Sequence, residues 1–580
     1  MLHQLVHKGV IVPDPPAYQQ LTIHFRGVDH LLTPKQEEMA LAWVKKIGTE
    51  YVEDPLFARN FFGDFSKALG VDPPLKPGEV DFQEVIAVVA RERMAREAMT
   101  KEERKALAAR RKMAREELKE IYGHAQADGE RIELAGYLVE PSGIFMGRGK
   151  HPLRGRWKEG ACKSDITLNL SPDAPVPEGD WAEIVWQPES LWVARWPDKL
   201  TGKIKYIWLH DSAPIKQARE EQKFSKAIEL EEQIEAVRAH IQQGLDSENP
   251  RRRMIATACY LIDALCLRVG DEKDPDEADT VGATTLRPEH VKLLPDGAAE
   301  FRFLGKDSVL WHKKLTLPAN VRRNLEALER EARPTAGGGK VKNAAYSKPQ
   351  LFPDISSRNV NAFLSEVLPG LTAKVFRTHH ASAVVRESLA QSGVVAEDPE
   401  HLKWEAVVNA NLEAAILCNH IKKAPANWTQ RKENFRQREA NLQKELAALR
   451  EMIKKETGVV AQLRQQLKAR KAATEKAEQR ARVAAAFQRK IDAQQRKVGQ
   501  LKEREEKRRV ALGKLKTQSA IAAKNRTWNL GTSMKSYIDP RTFYNWGLEV
   551  EYDVLKKYYS KNLQRKFEWV RAGKQPEESE

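Results

Sequence analysis

Tyr537 lies in the stretch Gly531-Thr-Ser-Met-Lys-Ser-Tyr537-Ile-Asp-Pro-Arg541. A free tyrosine is a weak nucleophile, because a phenol pKa of about 10 leaves roughly a thousandth of it ionised at neutral pH. Alone, the stretch reads as a turn, since Asp539-Pro540 is a strong stop signal. Four residues of other types precede it: Arg268, Lys306, Arg377 and His420. Together the five suit transesterification at a phosphodiester. Two guanidiniums can fork onto the non-bridging oxygens and stabilise pentacoordinate charge. An imidazole can donate to one of those oxygens, and a lysine can protonate a leaving 5′-hydroxyl. A tyrosine can carry the phosphate covalently, which keeps the bond energy, so that resealing needs neither ATP nor metal. Gaps of 38 to 117 residues separate the five, so spacing alone cannot assemble them.

The elements that must position them belong to a helix-rich, several-domain protein. The 580 residues are 31% charged and 41% hydrophobic, and their length allows three or four domains. Apolar runs are too short to span a bilayer, and the N-terminal stretch lacks a signal-peptide core, so an intracellular protein with no membrane association is expected. Cys162, Cys259, Cys266 and Cys418 fit neither a disulfide framework nor a metal-binding spacing. The net charge is +16, and between Arg431 and Ala520 stand 26 Lys and Arg against 11 Asp and Glu. Nearly all the excess therefore belongs to one element, whose natural partner is a polyanion.

Residues 1 to about 211 mix strand-like runs, such as Leu21–Arg26 and Lys203–Trp208, with helical ones. Thr100 and Glu103 have capping-box spacing. Within Gly143–Lys158, Arg148, Lys150, His151, Arg154, Arg156 and Lys158 interleave with glycines, which suits close approach to phosphates, although a P-loop frame is missing. From Pro214 to Pro425 the pattern is mostly helical. It is interrupted by a hairpin whose tip, Gly305–Ser308, presents Lys306, and by a glycine loop, Gly337–Gly339. The acidic run Asp271–Asp279 lacks the glycine and glutamate of a calcium loop. Beyond 427, Leu442, Leu446, Leu449 and Ile453, then Ala484, Phe487, Ile491, Val498 and Leu501, keep coiled-coil spacing. Two antiparallel helices turning near 470–480, or at Gly458, satisfy it.

In its ordered motifs the chain resembles the eukaryotic-type DNA topoisomerases IB. The matching segments include His7-Lys-Gly, Asn60-Phe-Phe, Gly147-Arg-Gly-Lys-His-Pro152, Leu267-Arg-Val-Gly-Asp-Glu-Lys273, Phe303-Leu-Gly-Lys-Asp-Ser308, Lys374-Val-Phe-Arg-Thr378, Ala415-Ile-Leu-Cys-Asn-His420 and the Tyr537 stretch. The resemblance implies an α+β, predominantly helical, two-lobed DNA clamp: 1–213 a cap lobe, 214–424 the catalytic lobe, 425–525 a basic coiled-coil linker and 526–580 a small helical domain with the nucleophile. It implies that Arg268, Arg377 and His420 hold the scissile phosphate, Lys306 is the acid, and Tyr537 forms a 3′-phosphotyrosine. A monomer acting on duplex DNA, especially supercoiled DNA, with no cofactor and no metal, is the implied enzyme. DNA contacts are expected from Arg148, Lys150, His151, Arg154, Arg156, Lys158, Lys205 and Lys374. Camptothecin-type inhibitors would meet Arg148, Asp307 and Ser536.

Three departures stand out. His379-His380 replaces the family's usual Tyr-Asn, and Ser536 replaces an Asn before the nucleophile. No long lysine-rich N-terminal extension is present, which points to the cytoplasm or nucleoid of a prokaryote or archaeon, with the nucleus as alternative. The rival readings are a tyrosine-family site-specific recombinase and a catalytically inactive DNA-binding coiled-coil protein.

Overall fold

A computed structural model describes residues 1–271, 279–332 and 349–572; the Gly337–Gly339 loop and most of the acidic run Asp271–Asp279 lie outside the described residues. The chain forms two units, Met1–Phe376 with Lys561–Glu580, and Arg377–Ser560. The fold is α+β and predominantly helical, as expected from the sequence. No described helix is long and apolar enough to cross a membrane.

In the first unit, α1 (Pro34–Val44) and α2 (Pro55–Leu69) build an aromatic core. Phe57, Phe61, Phe62 and Phe65 recur at helical spacing on α2, and Trp43 of α1 meets three of them at ring-centroid distances of 4.7 to 6.3 Å. Asp54 caps α2 at its start, beside Pro55, and left-handed Gly70 ends it. Helices α3 (Gln83–Ala98) and α4 (Lys101–Tyr122) follow. The Thr100–Glu103 capping box is closed by bonds of 2.7 and 3.2 Å. Small sheets complete this part. Leu5–His7 pairs antiparallel with His124–Ala127, which pairs with Glu130–Glu133. Thr167–Asn169 lies between Glu183–Val185 and Trp192–Pro197, and Ile204–Trp208 flanks the latter.

Further along, α5 (Pro214–Glu232), α6 (Ile234–Leu245), α7 (Pro250–Leu265), α8 (Ala319–Ala332) and α9 (Ser357–Ser365) surround a hairpin of Ala298–Gly305 and Val309–Thr316. Leu261, Ile262, Phe301, Phe352 and Phe376 lie in their shared core. The C-terminal stretch returns to this unit, where Lys566 pairs with Glu220 at 3.1 Å and Phe567 meets Phe224 at 6.1 Å.

The second unit begins inside α10 (Ala373–Ala390), so the stretch expected as catalytic lobe contributes to both units. After α11 (Glu400–Leu417) come α12 (Trp428–Ala472) and α13 (Ala477–Asn525), paired as an antiparallel hairpin of 45 and 49 residues. Its turn occupies 473–476, and Gly458 is helical. Leu446, Val460, Ile491 and Leu501 are buried in the seam. Glutamates are tied across it: Glu505 to Arg450 (2.8 Å), Glu456 to Lys497 (2.6 Å), Glu445 to Arg508 (2.9 Å) and Glu439 to Lys516 (3.7 Å). Much of the acidic minority is thus occupied internally, while the excess cations lie on a long exposed rod. Helices α14 (Leu530–Ser536) and α15 (Pro540–Glu549) follow.

One buried titratable group sets a pH dependence for the first unit. His7 Nε2 lies 3.0 Å from Asn169 O, and the Gly9 N–H donates to its Nδ1 at 3.1 Å, a pattern that fits only the neutral ring. Burial pushes its pKa down to about 4, against weaker support from the Asn169 and Val193 carbonyls. The unfolded chain, with an ordinary value of about 6.5, takes the proton first. Stability is therefore whole above about pH 6.5 and lost as pH falls towards 4, by about 3 kcal/mol for this group. Denaturant unfolding of the first unit at these two pH values should show that much less acid loss in His7→Asn. Equal losses in both proteins would remove His7 from the account.

Candidate active site around Tyr537

Arg268 and Lys306 share one scaffold in the first unit. Cys266 closes α7 in the left-handed conformation, at φ 53°, which sends Leu267 into the core and leaves Arg268 partly buried. Ala283 N–H bonds Arg268 O at 2.9 Å and Thr284 N–H bonds Val269 O at 2.8 Å. The two crossing segments meet at Gly270 and Gly282, where a Cβ on Gly282 would lie 2.5 Å from the Gly270 Cα, so only glycine fits. Val281 N–H then bonds Leu304 O at 2.8 Å, fastening the Arg268 segment to the strand that leads to Lys306. Lys306 is exposed at the hairpin tip, where Asp307 (φ 65°) and Ser308 (φ 58°) turn the chain. Asp307 forms an ion pair with Arg148.

The basic segment is less free than its composition suggests. Arg154 pairs with Asp54 at 3.1 Å and Arg156 with Asp64 at 2.8 Å. Lys158 binds Asp198 at 2.8 Å as well as Glu140, and Lys205 approaches Asp198 at 3.7 Å. His151 Nδ1 accepts the Leu153 N–H at 3.2 Å and its ring packs on Phe145. Lys150 and Lys374 are exposed.

The second unit brings Arg377, His420 and Tyr537 together. Arg377 is held on α10 at 1% exposure, its Nη2 donating to Cys418 O at 3.0 Å and facing His420 Nε2 at 3.4 Å. His420 owes its direction to the end of α11. Asn419 takes the left-handed position (φ 56°), its N–H bonds Ile416 O at 3.0 Å, and the His420 N–H bonds Ala415 O at 2.8 Å. This is a Schellman cap with asparagine where glycine is commoner. Asn529 N–H bonds His420 O at 2.7 Å, and His420 Nδ1 lies 2.8 Å from Ser533 Oγ. Tyr537 follows α14 directly, its N–H bonded to Ser533 O at 2.9 Å. The Arg377 guanidinium sits 4.8 Å from the centre of the Tyr537 ring, and the His420 ring lies 5.4 Å from it, tilted by 31°. Tyr537 is buried at 7% exposure, whereas Tyr544 lies within α15. A buried guanidinium and an imidazole beside one phenol can stabilise an anion that is attacked by, or attached to, that phenol.

Three family models match the sequence in order. Residues 2–209 match the model of the eukaryotic DNA topoisomerase I DNA binding fragment, 212–453 that of its catalytic core, and 511–577 the C-terminal topoisomerase domain. DNA topoisomerase 1 of Homo sapiens is 31% identical over 585 residues, covering 98% of this chain and 70% of the relative. The chain belongs to the eukaryotic DNA topoisomerase I family. DNA topoisomerase 1 of Candidozyma auris is 35% identical over 77% of the chain, and DNA topoisomerase 1 beta of Arabidopsis thaliana 33% over 98%. The chain spans 59% and 58% of those two relatives' lengths.

Within this chain, the departures from the family pattern fall close to the cluster. His379 is buried on α10 with His380 beside it at a ring distance of 5.0 Å, and Ser536 ends α14, partly buried. Two contributors went unread in the sequence. Ser533 meets His420 from 113 residues away. Ser382, one helical stretch beyond Arg377, receives the Asp539 N–H at 2.9 Å and approaches Tyr537 O at 3.5 Å. Ser382 thereby pins the tyrosine turn to the helix that carries Arg377. Losing one buried hydrogen bond costs about 1 kcal/mol, and leaving the Asp539 N–H unmatched adds to it. If Tyr537 is a strand-cleaving nucleophile, Ser382→Ala should therefore slow single-turnover cleavage roughly tenfold while leaving duplex affinity unchanged. An unaltered cleavage rate would show that the turn holds without it.

Proposed function

We propose that the protein is a type IB DNA topoisomerase that nicks one strand of duplex DNA through a transient 3′-phosphotyrosine on Tyr537, lets the DNA rotate, and reseals it without ATP or metal. The observation that carries this reading is the buried Arg377 guanidinium set against both the Tyr537 ring and the His420 imidazole. Tyr537 gives its phenol proton to solvent water as its oxygen bonds to phosphorus, the bond from phosphorus to the 5′-oxygen breaks as Lys306 protonates that oxygen, and resealing reverses each step. Arg268 and Arg377 neutralise the non-bridging oxygens, and His420 donates a hydrogen bond to one of them. The resemblance of the motifs that carry these residues, within a chain matched by the family models over 2–209, 212–453 and 511–577, supports these roles.

On this reading 1–213 is the cap lobe, 214–424 the catalytic lobe, 425–525 the linker and 526–580 the tyrosine-bearing domain of a monomer. Lys150 and Lys374, exposed and basic, and Arg148, exposed although paired with Asp307, are the first candidates for DNA phosphates; His151, Arg154, Arg156, Lys158 and Lys205 are more engaged within the protein. The hairpin supplies long-range attraction for supercoiled DNA and brakes its rotation. Camptothecin-type ligands would meet Arg148, Asp307 and Ser536, and the shorter reach of serine weakens that contact relative to asparagine. The relatives named above are eukaryotic, so the expected prokaryotic or archaeal cytoplasm gains nothing from them, and a nuclear enzyme fits them better.

Plasmid relaxation in EDTA without ATP tests the function. Both positive and negative supercoils should relax, and Tyr537→Phe should abolish relaxation while retaining DNA binding. An absolute need for magnesium or ATP would overturn the proposal. The acid role of Lys306 has its own check. Lys306→Ala should slow cleavage of an ordinary 5′-oxygen substrate at least about a hundredfold, but hardly slow a 5′-thiolate leaving group, which needs no proton. Equal slowing of both would move the acid elsewhere.

A further inference from the structure

We propose that Ser533 is a positioning residue for His420, its hydroxyl supporting the imidazole in either of the two tautomers that the reaction cycle requires. The proposal rests on the reading of Arg377, His420 and Tyr537 as a transesterification site. Ser533 is fully buried, with its Oγ 2.8 Å from His420 Nδ1. Its carbonyl receives the Tyr537 N–H at 2.9 Å and the Ile538 N–H at 3.0 Å. One residue of α14 therefore fixes both the ring that serves the phosphate and the turn that carries the phenol.

The chemistry selects a hydroxyl at this position. A guanidinium only donates, so where Arg377 Nη2 faces His420 Nε2 across 3.4 Å, the neutral ring presents its lone pair at Nε2. Its proton is then on Nδ1 and is donated to Ser533 Oγ. To donate to a phosphate oxygen, His420 must instead carry the proton on Nε2, and Nδ1 must accept one from the Ser533 O–H. The exchange takes a proton from water at Nε2 and returns one from Nδ1, so the ring stays neutral and nothing is consumed. A carboxylate or carbonyl could only accept, and an amide N–H could only donate. Serine does both by rotating its hydroxyl.

Single-turnover cleavage of a duplex whose cut strand dissociates, measured on the full chain across about pH 5 to 8, tests this. Ser533→Ala should be about tenfold slower, with duplex affinity unchanged and the acid limb of its pH profile displaced. Ser533→Thr, which keeps the hydroxyl, should recover most of the rate. Ser533→Cys, similar in size but a weak donor and acceptor, should be as slow as alanine, which covers the case of a poorly folded alanine variant. In a His420→Ala background, Ser533→Ala should cost nothing further. Equal slowing in both backgrounds, or full activity of Ser533→Cys, would make Ser533 a packing residue and overturn the proposal. Absence of any Tyr537-dependent cleavage by the unmodified protein would overturn the transesterification reading instead, and this role of Ser533 with it.

Discussion

A guanidinium buried to 1% exposure constrains everything around it. Removing a charge from water costs several kcal/mol unless electron-rich groups replace the lost hydration. At Arg377 those groups are the Cys418 carbonyl, the His420 Nε2 edge and the face of the Tyr537 ring. They come from two distant stretches of chain, the end of α11 and the turn after α14, so the requirement of one side chain dictates where α11 must stop and where α14 must deliver its tyrosine. The Schellman cap at Asn419 and the Ser382 bond to the Asp539 N–H are the local devices that meet it. A phosphodiester, whose single negative charge is spread over two non-bridging oxygens, is the ligand that the proposed function brings to this site.

Charge elsewhere in the molecule is arranged on a different principle. In the hairpin, cross-helix pairs occupy Glu439, Glu445, Glu456 and Glu505 and leave the many remaining cations facing solvent. Such charge acts at the range of the Debye length and fades with salt. In the first unit the reverse holds: Arg154, Arg156 and Lys158 are matched by acids within the fold, and their main effect is to fix the loop that presents Arg148 and Lys150. Composition alone does not separate these two uses of lysine and arginine.

That difference bears on what could be read from the sequence. Local rules foretold local structure: the Thr100–Glu103 box, the Lys306 hairpin and the turn of the coiled coil all follow from short-range periodicity and turn chemistry. Long-range pairings were not legible. Asp54, Asp64 and Asp198 carry no mark that assigns them to Arg154, Arg156 and Lys158, and Ser533 reads as one more small polar residue before a tyrosine. The division of the chain at Arg377 was equally hidden, because α10 runs through it without a break in pattern. The five proposed catalytic residues were legible only through the resemblance of their motifs, as their separations require.

The proposed function stands or falls on Tyr537 taking up the phosphate. Mixing the protein with an end-labelled duplex, stopping the reaction with denaturant and sequencing the labelled peptide by mass spectrometry tests it without any mutation. The expected product is a nucleotide joined through its 3′-phosphate to the tyrosine of the peptide containing Tyr537. A 5′-linkage, or attachment at another residue such as Tyr544, would contradict it.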